Sequence, residues 1–454
     1  MRIYSKQLNL LSAILYFLPP ILSLSQRSQR YSRSRIERIQ CIMRALALFL
    51  IFTAAFTFPA IDAADKVTMV FIDPIKGSPN GDGSSMRPWR TLEEVINVGL
   101  LEQLPSGTIL KLRDGYHGHV KVSGDNLQPL TIEADEGARP QLARFEIEKG
   151  SGWIIRGLVV SPTFAEEGEP HYNGKILTVG ERGPTENVTV EDCFVHDGLD
   201  AKNWGAKKWM SLHSGMCQGR YGTNLTFRNN FVLNTRFGIE LASTDSLCQG
   251  NVISDFSGDG IRVMRDGITV EHNVIRNVYV GSGDGDQNHD DAIQCFLFNK
   301  GTGTVRNITL RANLIVNWSD DQQPLKATCQ AIGFFDGPLV DFLVENNVCL
   351  VSHYHGVSLY DAQGCKVLNN AVMTRWGGRL RPWIMLGQKK NQAINNQVHG
   401  NLAHSFNFKA DPTAQVSKNK MVTKRAFYAR YEKLTQQIVD TYGKQHAAAA
   451  RDRF

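Results

Sequence analysis

The chain has 454 residues, of which 42% are hydrophobic and 21% charged, with a formal net charge of +6. This composition excludes a disordered chain and a multispan membrane protein. The length suits one large domain or a solenoid. Forty glycines, with Asn and Asp between short apolar runs, favour many short strands over long helices.

The first 63 residues resemble a leader rather than a folded region. Met43 and Arg44 precede a short apolar run that ends in small residues near Ala63, which is typical of a secretory signal peptide. We therefore predict a start at Met43 and a secreted or periplasmic mature protein. The alternative is that an earlier apolar run, from Leu8 to Leu24, is an uncleaved membrane anchor.

The cysteines argue against a metal ribbon or a redox motif. Seven follow the leader, an odd number, and no C-x-x-C pair occurs. We expect buried free thiols in strands, although export would also permit a disulfide. The seven are Cys193, Cys217, Cys248, Cys295, Cys329, Cys349 and Cys365.

A short helix is predicted ahead of the first strands. Thr91 to Glu94 read as a capping box that opens a helix reaching about Glu102. Short strands are predicted at 108–112, 130–134 and 153–160. An amphipathic helix in this place can cover the open end of a stack of strands.

A repeat that begins at Asn187 decides the predicted fold. N-V-T-V-E-D-C-F-V, I-T-V-E-H-N-V-I and F-L-V-E-N-N-V-C are versions of one motif, with a basic spacing of 21 to 23 residues. Repeats this short cannot bury an apolar face alone, so they must stack as parallel coils. An antiparallel sandwich would instead show hairpin turns and no fixed period. The asparagines expected in one column are Asn230, Asn251, Asn273, Asn313, Asn347, Asn370 and Asn396.

The D-G-I and D-A-I strand openings, the asparagine column and the early P-W-R-T-L-E-E segment resemble right-handed parallel β-helix proteins of the pectate-lyase-like superfamily. The resemblance covers roughly residues 70–405. It implies an all-β solenoid with an N-terminal capping helix and a C-terminal helix, and it is shared by lyases, epimerases, hydrolases and phage tail proteins. The predicted regions are a leader (1–63), an N-terminal cap with the first coils (64–150), the β-helix repeats (151–408) and a C-terminal helical cap with a tail (409–454).

Two consecutive coils carry about ten extra residues at the same corner. The distance from a column asparagine to the next strand is 8 or 9 residues in three coils, but 19 after Asn273 and 18 after Asn313. Because neighbouring coils lie about 5 Å apart, these two loops should stand side by side. The first loop holds His289 among acidic residues, and the second holds Lys326. A third insertion, 196–208, carries Trp204.

The strands beside these loops predict a binding surface. Alternation turns Ile239 and its equivalents inward, and turns a polar column and an aromatic-rich column outward. Hydrogen-bonding groups beside flat apolar faces are what a sugar chain requires. The alternative is that a loop or the C-terminal helix covers the aromatics. The predicted substrate-binding residues are Glu240, Arg265, Gln294, Phe296, Phe335, His355 and Tyr360.

One chemistry that fits these residues is β-elimination or C5-epimerisation of a uronate polymer. It needs a base near the C5 proton and a cation or donor on the neighbouring carboxylate. The base would be His289 or Lys326, and Arg262 or Arg265 would neutralise the carboxylate. Calcium is the alternative neutralising cation, because oxygen ligands alternate in the first loop, although an acidic solvated loop would read the same way. The predicted calcium ligands are Asp284, Asp286, Asn288 and Asp290.

The second chemistry is hydrolysis. Asp259-Gly260 and, one coil later, Asp290-Asp291 are similar to the aspartate motifs of polygalacturonase-type glycosidases. That resemblance implies catalytic roles for Asp259, Asp290 and Asp291 in an inverting reaction. The later G-H-G and R-I-K elements of that group are missing here, and only His355-Gly356 comes close.

A third possibility is a non-catalytic polysaccharide-binding or adhesin-like solenoid. In every case the expected partner is an acidic polysaccharide, with no organic cofactor, and the expected oligomeric state is a monomer. No basic stripe with interleaved aromatics stands out, so nucleic acid is not an expected partner. Elimination is placed ahead of hydrolysis.

Overall fold

The fold is given by a computed structural model that describes residues 68–166, 174–219, 221–295, 303–374 and 380–443. The predicted leader, the membrane-anchor alternative and Phe296 lie outside these residues. The three α-helices in them are α1 (Leu92–Asn97), α2 (Ala206–Met210) and α3 (Lys424–Tyr442). Single 3-10 turns occur at Leu101–Gln103, Pro162–Phe164 and Ser282–Asp284. No helix in the described part of the chain is long and apolar enough to cross a membrane.

The first strands, which precede the regular coils, are β1 (Met69–Ile72), β2 (Ile109–Leu112), β3 (Gly115–Tyr116), β4 (His119–Ala134), β5 (Pro140–Leu142), β6 (Arg144–Arg156) and β7 (Val159–Val160). The next four coils contain β8 (Lys175–Val179), β9 (Thr185–Glu191), β10 (Phe194–His196), β11 (Ser214–Gln218), β12 (Thr223–Arg228), β13 (Phe231–Thr235), β14 (Ile239–Leu241), β15 (Leu247–Gln249), β16 (Val252–Phe256), β17 (Ile261–Val263), β18 (Thr269–Glu271) and β19 (Val274–Val278).

The two coils with long insertions contain β20 (Asp291–Gln294), β21 (Val305–Arg306), β22 (Thr309–Arg311), β23 (Leu314–Val316), β24 (Gln330–Phe334), β25 (Leu339–Val340), β26 (Leu343–Glu345) and β27 (Val348–Leu350). The last coils contain β28 (His355–Tyr360), β29 (Ala362–Gln363), β30 (Lys366–Leu368), β31 (Ala371–Met373), β32 (Trp383–Gly387), β33 (Gln397–His399), β34 (Leu402–Ala403), β35 (Ser405–Asn407), β36 (Gln415–Ser417) and β37 (Lys420–Met421).

From β8 onward each coil contributes one strand to each of three faces, and every pairing between coils on these faces is parallel. Face A is β8, β11, β14, β17, β20, β24, β28, β32 and β35. Face B is β9, β12, β15, β18, β22, β26, β30, β33 and β36, and face C is β10, β13, β16, β19, β23, β27, β31, β34 and β37. The prediction of an all-β parallel β-helix is therefore confirmed, and the sandwich alternative is wrong.

One continuous apolar cluster of the described residues runs through the interior of the coils. Ile239, Ile261, Ile293, Ile332 and Val357 are adjacent in the strand register and buried, as alternation predicts. The seven cysteines after the leader are all buried free thiols, also as predicted.

The asparagine column stacks the coils at a corner. Each interior asparagine receives hydrogen bonds on its side-chain oxygen from the backbone N–H and the amide of the one before it, as Asn313 does from Asn273 at 3.1 and 3.0 Å. The prediction was wrong at its end, because Asn370 pairs with Asn401, which pairs with Asn419. Asn396 instead pairs with Asp411 at another corner.

The two predicted caps differ in placement. Helix α1 buries Leu92 and Val95 against the first coils, with Thr91 as its N-cap, although the Glu94 side chain bonds Arg90 rather than closing a capping box. Helix α3 buries Phe427, Leu434 and Ile438 on face C, where it contacts β23, β27 and β31. It packs back on the coils as predicted, but along a flank.

A column of alternating charges, here called the charge column, runs along the outside of the solenoid and onto face B. Ion pairs join Lys111 to Glu133 and Glu133 to Arg156, each at 2.6 Å, and Arg156 to Glu191 at 2.7 Å. From Glu191 the strand register continues the column, one residue per coil, as far as Glu345. Its nine members are Lys111, Glu133, Arg156, Glu191, Arg228, Gln249, Glu271, Arg311 and Glu345. Such cross-strand pairs of opposite charge stabilise neighbouring coils.

Candidate functional site

The two long insertions lie side by side, as the shared corner predicts. The N–H of Val280 donates to the carbonyl of Leu325 at 2.7 Å, and Tyr279 forms an antiparallel bridge with Lys326. Helix α2, in the third insertion, supports them from the other side, where Trp209 stacks on Tyr279 with ring centroids 4.1 Å apart. The insertions therefore form one wall beside face A.

A cavity of about 520 Å³ opens between this wall and face A. His289 and Phe335 both line it, so the predicted neighbourhood of the first loop and the aromatic strand is found. Tyr360 also lines it, with its ring centroid 5.3 Å from that of Phe335. The aromatics are thus open to the cavity rather than covered by α3. The lining is Ser282, Asn288, His289, Asp290, Thr328, Gln330, Phe335, His353, Tyr354, His355, Tyr360 and Lys389.

Four residues at one corner position form a polar column, of which Gln330 and His355 line the cavity. Asp259 precedes β17, Asp291 and Gln330 are register partners on β20 and β24, and His355 begins β28. The backbone N–H of Asp291 donates to Asp259 at 3.1 Å. His355 Nδ1 lies 2.6 Å from Gln330 Oε1. Asp259, Asp291, Gln330 and His355 therefore occupy equivalent positions on successive coils.

Three carboxyl groups meet at this corner and are here called the aspartate cluster: Asp259, Asp290 and Asp291. Burial raises the pKa of Asp290 to about 9, and the negative charges of Asp286 and Asp259 add to the effect. Burial likewise raises the pKa of Asp291, with Asp259 and Asp290 adding to it. Burial raises the pKa of Asp259 too, although Arg262 opposes the shift. Asp290 therefore retains its proton at neutral pH.

Only one member of the aspartate cluster lines the cavity. Asp290 does so, whereas Asp259 and Asp291 are 0% and 2% exposed and lie beneath the floor. A Cβ added at Gly333 would lie 2.8 Å from Oδ1 of Asp291, so the glycine makes room for this carboxyl group. Neither Oδ1 of Asp290 nor that of Asp291 has a hydrogen-bond partner among the described residues.

The three predicted cations, Arg262, Arg265 and Lys326, are not among the described residues that line the cavity. Arg262 pairs with Asp259 at 2.7 Å and with Glu240 at 2.8 Å, beneath the ring of Phe237, so its guanidinium is already used. Lys326 donates to the carbonyl of Asp321 at 2.6 Å and does not line the cavity. Arg265 lies in the turn after β17, also outside the described lining. This arrangement does not support the catalytic roles predicted for Arg262 and Lys326.

Glu240 and Gln294 belong to the support of the site rather than to its surface. Glu240 is held by Arg262, and the amide of Gln294 donates to Asp259. Neither residue is part of the cavity's described lining, so this arrangement does not support the substrate-binding roles predicted for them. The outward-facing side chains of Glu240, Arg262 and Gln294 therefore hold Asp259 of the aspartate cluster in place.

The predicted calcium ligands do not form a shared oxygen shell. Both carboxylate oxygens of Asp286 receive hydrogen bonds from Arg236, at 2.6 and 2.9 Å, and Asp284 accepts from the backbone N–H of Gly281 at 3.3 Å. Asn288 and Asp290 turn toward the cavity instead. Among the described residues no group of three or more His, Cys, Asp or Glu side chains has the geometry of a metal site. The alternating oxygens thus tie the loop to the coil, and the arrangement does not fit the predicted site.

Sequence reasoning missed the cation that does line the cavity. Lys389 places its ammonium 5.7 Å from the ring centroids of both Phe335 and Tyr360. Its backbone N–H donates to Asp361 at 2.6 Å, and that of Lys390 donates to the same carboxylate at 3.1 Å. Asp361 directly follows Tyr360, so one carboxylate fixes the lysine turn beside the aromatic floor. The strand openings counted in the sequence end at Gly356, before this turn. Gln330, in contrast, stands at the position of Asp291 in the D-A-I opening and could have been found from that alignment.

Two histidines of the cavity, His353 and His355, are held in their neutral form. Burial, together with the neighbouring His353 and His289, lowers the pKa of His355 to about 4. Burial lowers the pKa of His353 to about 4 as well, again with His289 adding to the shift. Both imidazoles are therefore uncharged at neutral pH and can accept a proton.

The strand pairing and this corner cavity define a parallel β-helix protein with a polar, aromatic-floored cavity. No model of a known protein family and no curated protein matches the sequence. Among solved structures the fold is similar to that of pectate lyase Pel9A, at 10% identity and a TM-score of 0.42, over 78% of this chain and 79% of that chain.

Two further solved structures show the same general likeness. One is the GH136 lacto-N-biosidase from Eubacterium ramulus, at 13% identity and a TM-score of 0.41, over 78% of this chain and 68% of that chain. The other is the A-module of the mannuronan C-5 epimerase AlgE6 from Azotobacter vinelandii, at 13% identity and a TM-score of 0.40, over 73% of this chain and 93% of that chain. These likenesses concern the fold, which the strand pairing of this chain establishes by itself.

Proposed function

We propose that the protein acts on an acidic, uronate-containing polysaccharide by removing the C5 proton of a uronate residue. Loss of the bond between C4 and O4 then gives β-elimination, whereas return of a proton to the opposite face gives C5-epimerisation. The observation that carries the proposal is the composition of the cavity. A lysine over two aromatic rings shares it with neutral histidines and one protonated carboxyl group.

Each of these groups has a part in the reaction. Phe335 and Tyr360 offer flat faces for a sugar ring, and Lys389 binds the uronate carboxylate, which makes the C5 proton more acidic. A neutral imidazole accepts that proton. Asp290, which is protonated at neutral pH, donates a proton to the leaving O4 oxygen in the elimination. Of the described lining residues, Lys389 alone carries a permanent positive charge.

Hydrolysis is less well supported by this geometry. An inverting glycosidase needs a carboxylic acid and a carboxylate base on opposite sides of the scissile bond. Asp290 could be the acid. The other two aspartates lie beneath the floor, and Asp259 is bound to Arg262. The described lining therefore lacks the second carboxylate.

The test is to incubate the purified protein with polygalacturonate and alginate, and with the same polymers after reduction of their carboxyl groups. Elimination gives ultraviolet absorbance from the new C4=C5 bond, and epimerisation in D₂O gives deuterium at C5. The reduced polymers should be inert. Reducing ends without absorbance would establish hydrolysis instead, and binding without any product would establish a binding module.

A variant pair tests the lysine. Lys389→Met removes the cation, and we expect kcat/KM on the acidic polymer to fall about 100-fold. Lys390→Met is the matched control, because Lys390 lies next to Lys389 and bonds the same Asp361 but is not part of the cavity's described lining. Equal activity of the two variants would contradict the role given to Lys389.

A further inference from the structure

The hydrogen bond between Gln330 and His355 selects one imidazole among the three that line the cavity. Oε1 of Gln330 accepts from Nδ1 of His355 at 2.6 Å, and both residues are buried. An amide oxygen can only accept, so Nδ1 must carry the hydrogen. The lone pair of the neutral ring then lies on Nε2.

The surroundings hold both side chains in place. Gln330 opens β24, which pairs with β20 on one side and β28 on the other, and its backbone N–H donates to the carbonyl of Asp290 at 3.0 Å. The rings of Phe335 and Trp383 pack against that of His355, with centroids 5.0 and 5.5 Å away. The imidazole therefore has little freedom to turn.

We propose that Nε2 of His355 is the base that removes the C5 proton, and that Gln330 is a positioning residue that sets its tautomer. This inference rests on the proposed function and names the base within it. Nε2 forms the new N–H bond, and the electron pair of the C5–H bond passes into the carboxylate that Lys389 binds. The resulting imidazolium still donates its Nδ1–H to Gln330.

A neutral amide suits this role better than a carboxylate would. A carboxylate partner stabilises the imidazolium and would raise the pKa of the ring toward neutral pH. The glutamine orients the ring without doing so. The other ionisable groups that share the cavity with His355 are His289, His353, Asp290, Tyr354, Tyr360 and Lys389.

The tautomer can be measured without any substrate. In ¹⁵N-histidine-labelled protein, the His355 signals, assigned by their loss in His355→Gln, should show a protonated Nδ1 and an unprotonated Nε2 at neutral pH. Gln330→Leu should mix the two tautomers. A wild-type ring protonated on Nε2 would overturn the inference, as would tautomer populations that Gln330→Leu leaves unchanged.

Kinetics on the acidic polymer supply the second readout. We expect Gln330→Leu to lower kcat by about 10-fold to 100-fold with little change in KM, and His355→Gln to lower kcat by at least 100-fold. Gln330→Glu retains the acceptor and should move the acidic limb of the kcat/KM profile to higher pH by about one unit or more. It also serves if the leucine variant does not fold.

The two proposals fail differently. If neither polymer is processed, the proposed function is wrong and so is the base assigned within it, whatever the tautomer. If a polymer is processed but Gln330→Glu leaves the pH profile unchanged, only the roles of Gln330 and His355 are wrong. Normal turnover by His355→Gln would likewise mean that the roles given to Gln330 and His355 are wrong.

Discussion

The charge column and the aspartate cluster are built by the same stacking of coils, yet their electrostatics are opposite. In the charge column each glutamate meets an arginine or lysine of a neighbouring coil. Although burial opposes it, hydrogen bonds from Arg228 and Arg156 lower the pKa of Glu191. In the aspartate cluster, like charges meet in a buried corner and the pKa of Asp290 rises to about 9.

The difference shows which side chains the fold uses for its own stability. A column of opposite charges reinforces the stack, whereas buried carboxyls at adjacent positions oppose it. Asp290 and Asp291 also keep an oxygen without a partner in the described part of the chain. Groups whose pKa values are strongly shifted in a cleft are candidates for chemistry. By the same criterion the glutamates of the charge column are not candidates, because each is paired with an arginine or lysine.

The largest expected effect comes from removing Arg262, the arginine that pairs with Asp259 of the aspartate cluster. Arg262→Met leaves Asp259 and Glu240 without their partner in a site where the arginine side chain is only 16% exposed. Breaking such a buried pair costs about 3–5 kcal/mol of the free energy of unfolding. Arg228→Met is the matched control in the charge column, where the arginine side chain is 46% exposed and the expected cost is about 1 kcal/mol or less.

Urea unfolding followed by circular dichroism measures both variants. Because a solenoid can unfold in stages, the loss is read from the shift of each transition rather than from one assumed step. Equal shifts in the two variants would mean that the corner and the charge column are not distinguished by burial.

The pH dependence of stability should separate the two regions next. Asp290 keeps its proton in the folded state up to about pH 9, whereas an unfolded aspartate loses it near pH 4, so the folded state loses stability as the pH rises between these values. Asp290→Asn removes this loss. We expect its thermal midpoint to exceed that of the wild type by about 2 °C or more at pH 8 and to match it at pH 4.

Glu191→Gln is the control for that experiment, because the pKa of Glu191 is shifted in the opposite direction to that of Asp290. Its pKa is lowered in the folded state, so its contribution is present above about pH 4 and is lost as the pH falls through the folded-state pKa. The variant should be less stable than the wild type at pH 7 and converge on it in acid. Convergence at alkaline pH instead would reverse the assignment.

The sequence predicts which residues occupy equivalent positions on successive coils, but not which neighbour each side chain bonds. The D-G-I and D-A-I strand openings place Asp259 and Asp291 at one corner of successive coils, because the motif marks the register even where the loop before it is longer. It does not reveal that Arg262 turns to Glu240 on the preceding coil, since the outward neighbours on both sides are polar. The pairing of Asp286 with Arg236 joins residues 50 apart across a loop of no fixed geometry.

The same reason explains the error at Asn396 and the omission of Lys389. Both lie where the coils change length, and there a count of residues no longer gives the register. The bridge between Tyr279 and Lys326 fixes the direction of the Lys326 side chain, which no spacing rule could show. Periodicity therefore predicts the solenoid well, and the loops that complete the cavity poorly.

The smallest predicted effect concerns the one neutral member inside the charge column. Gln249 lies between Arg228 and Glu271, and its amide donates to Glu271 at 2.6 Å. A charge of either sign at this position would attract one neighbour and repel the other. Gln249→Lys and Gln249→Glu should therefore each lower stability by about 0.5 kcal/mol, and by less in high salt.

Because both variants gain one attraction and one repulsion, their near equality is the informative result. A gain in stability by either would mean that one neighbour dominates the position, and the column would then act as separate pairs rather than as a continuous alternation. Gln363→Lys is a suitable control, since Gln363 lies on the short sheet of β21, β25 and β29, away from the column. A loss there as large as at Gln249 would show that the lysine itself, rather than its charged neighbours, destabilises the coil.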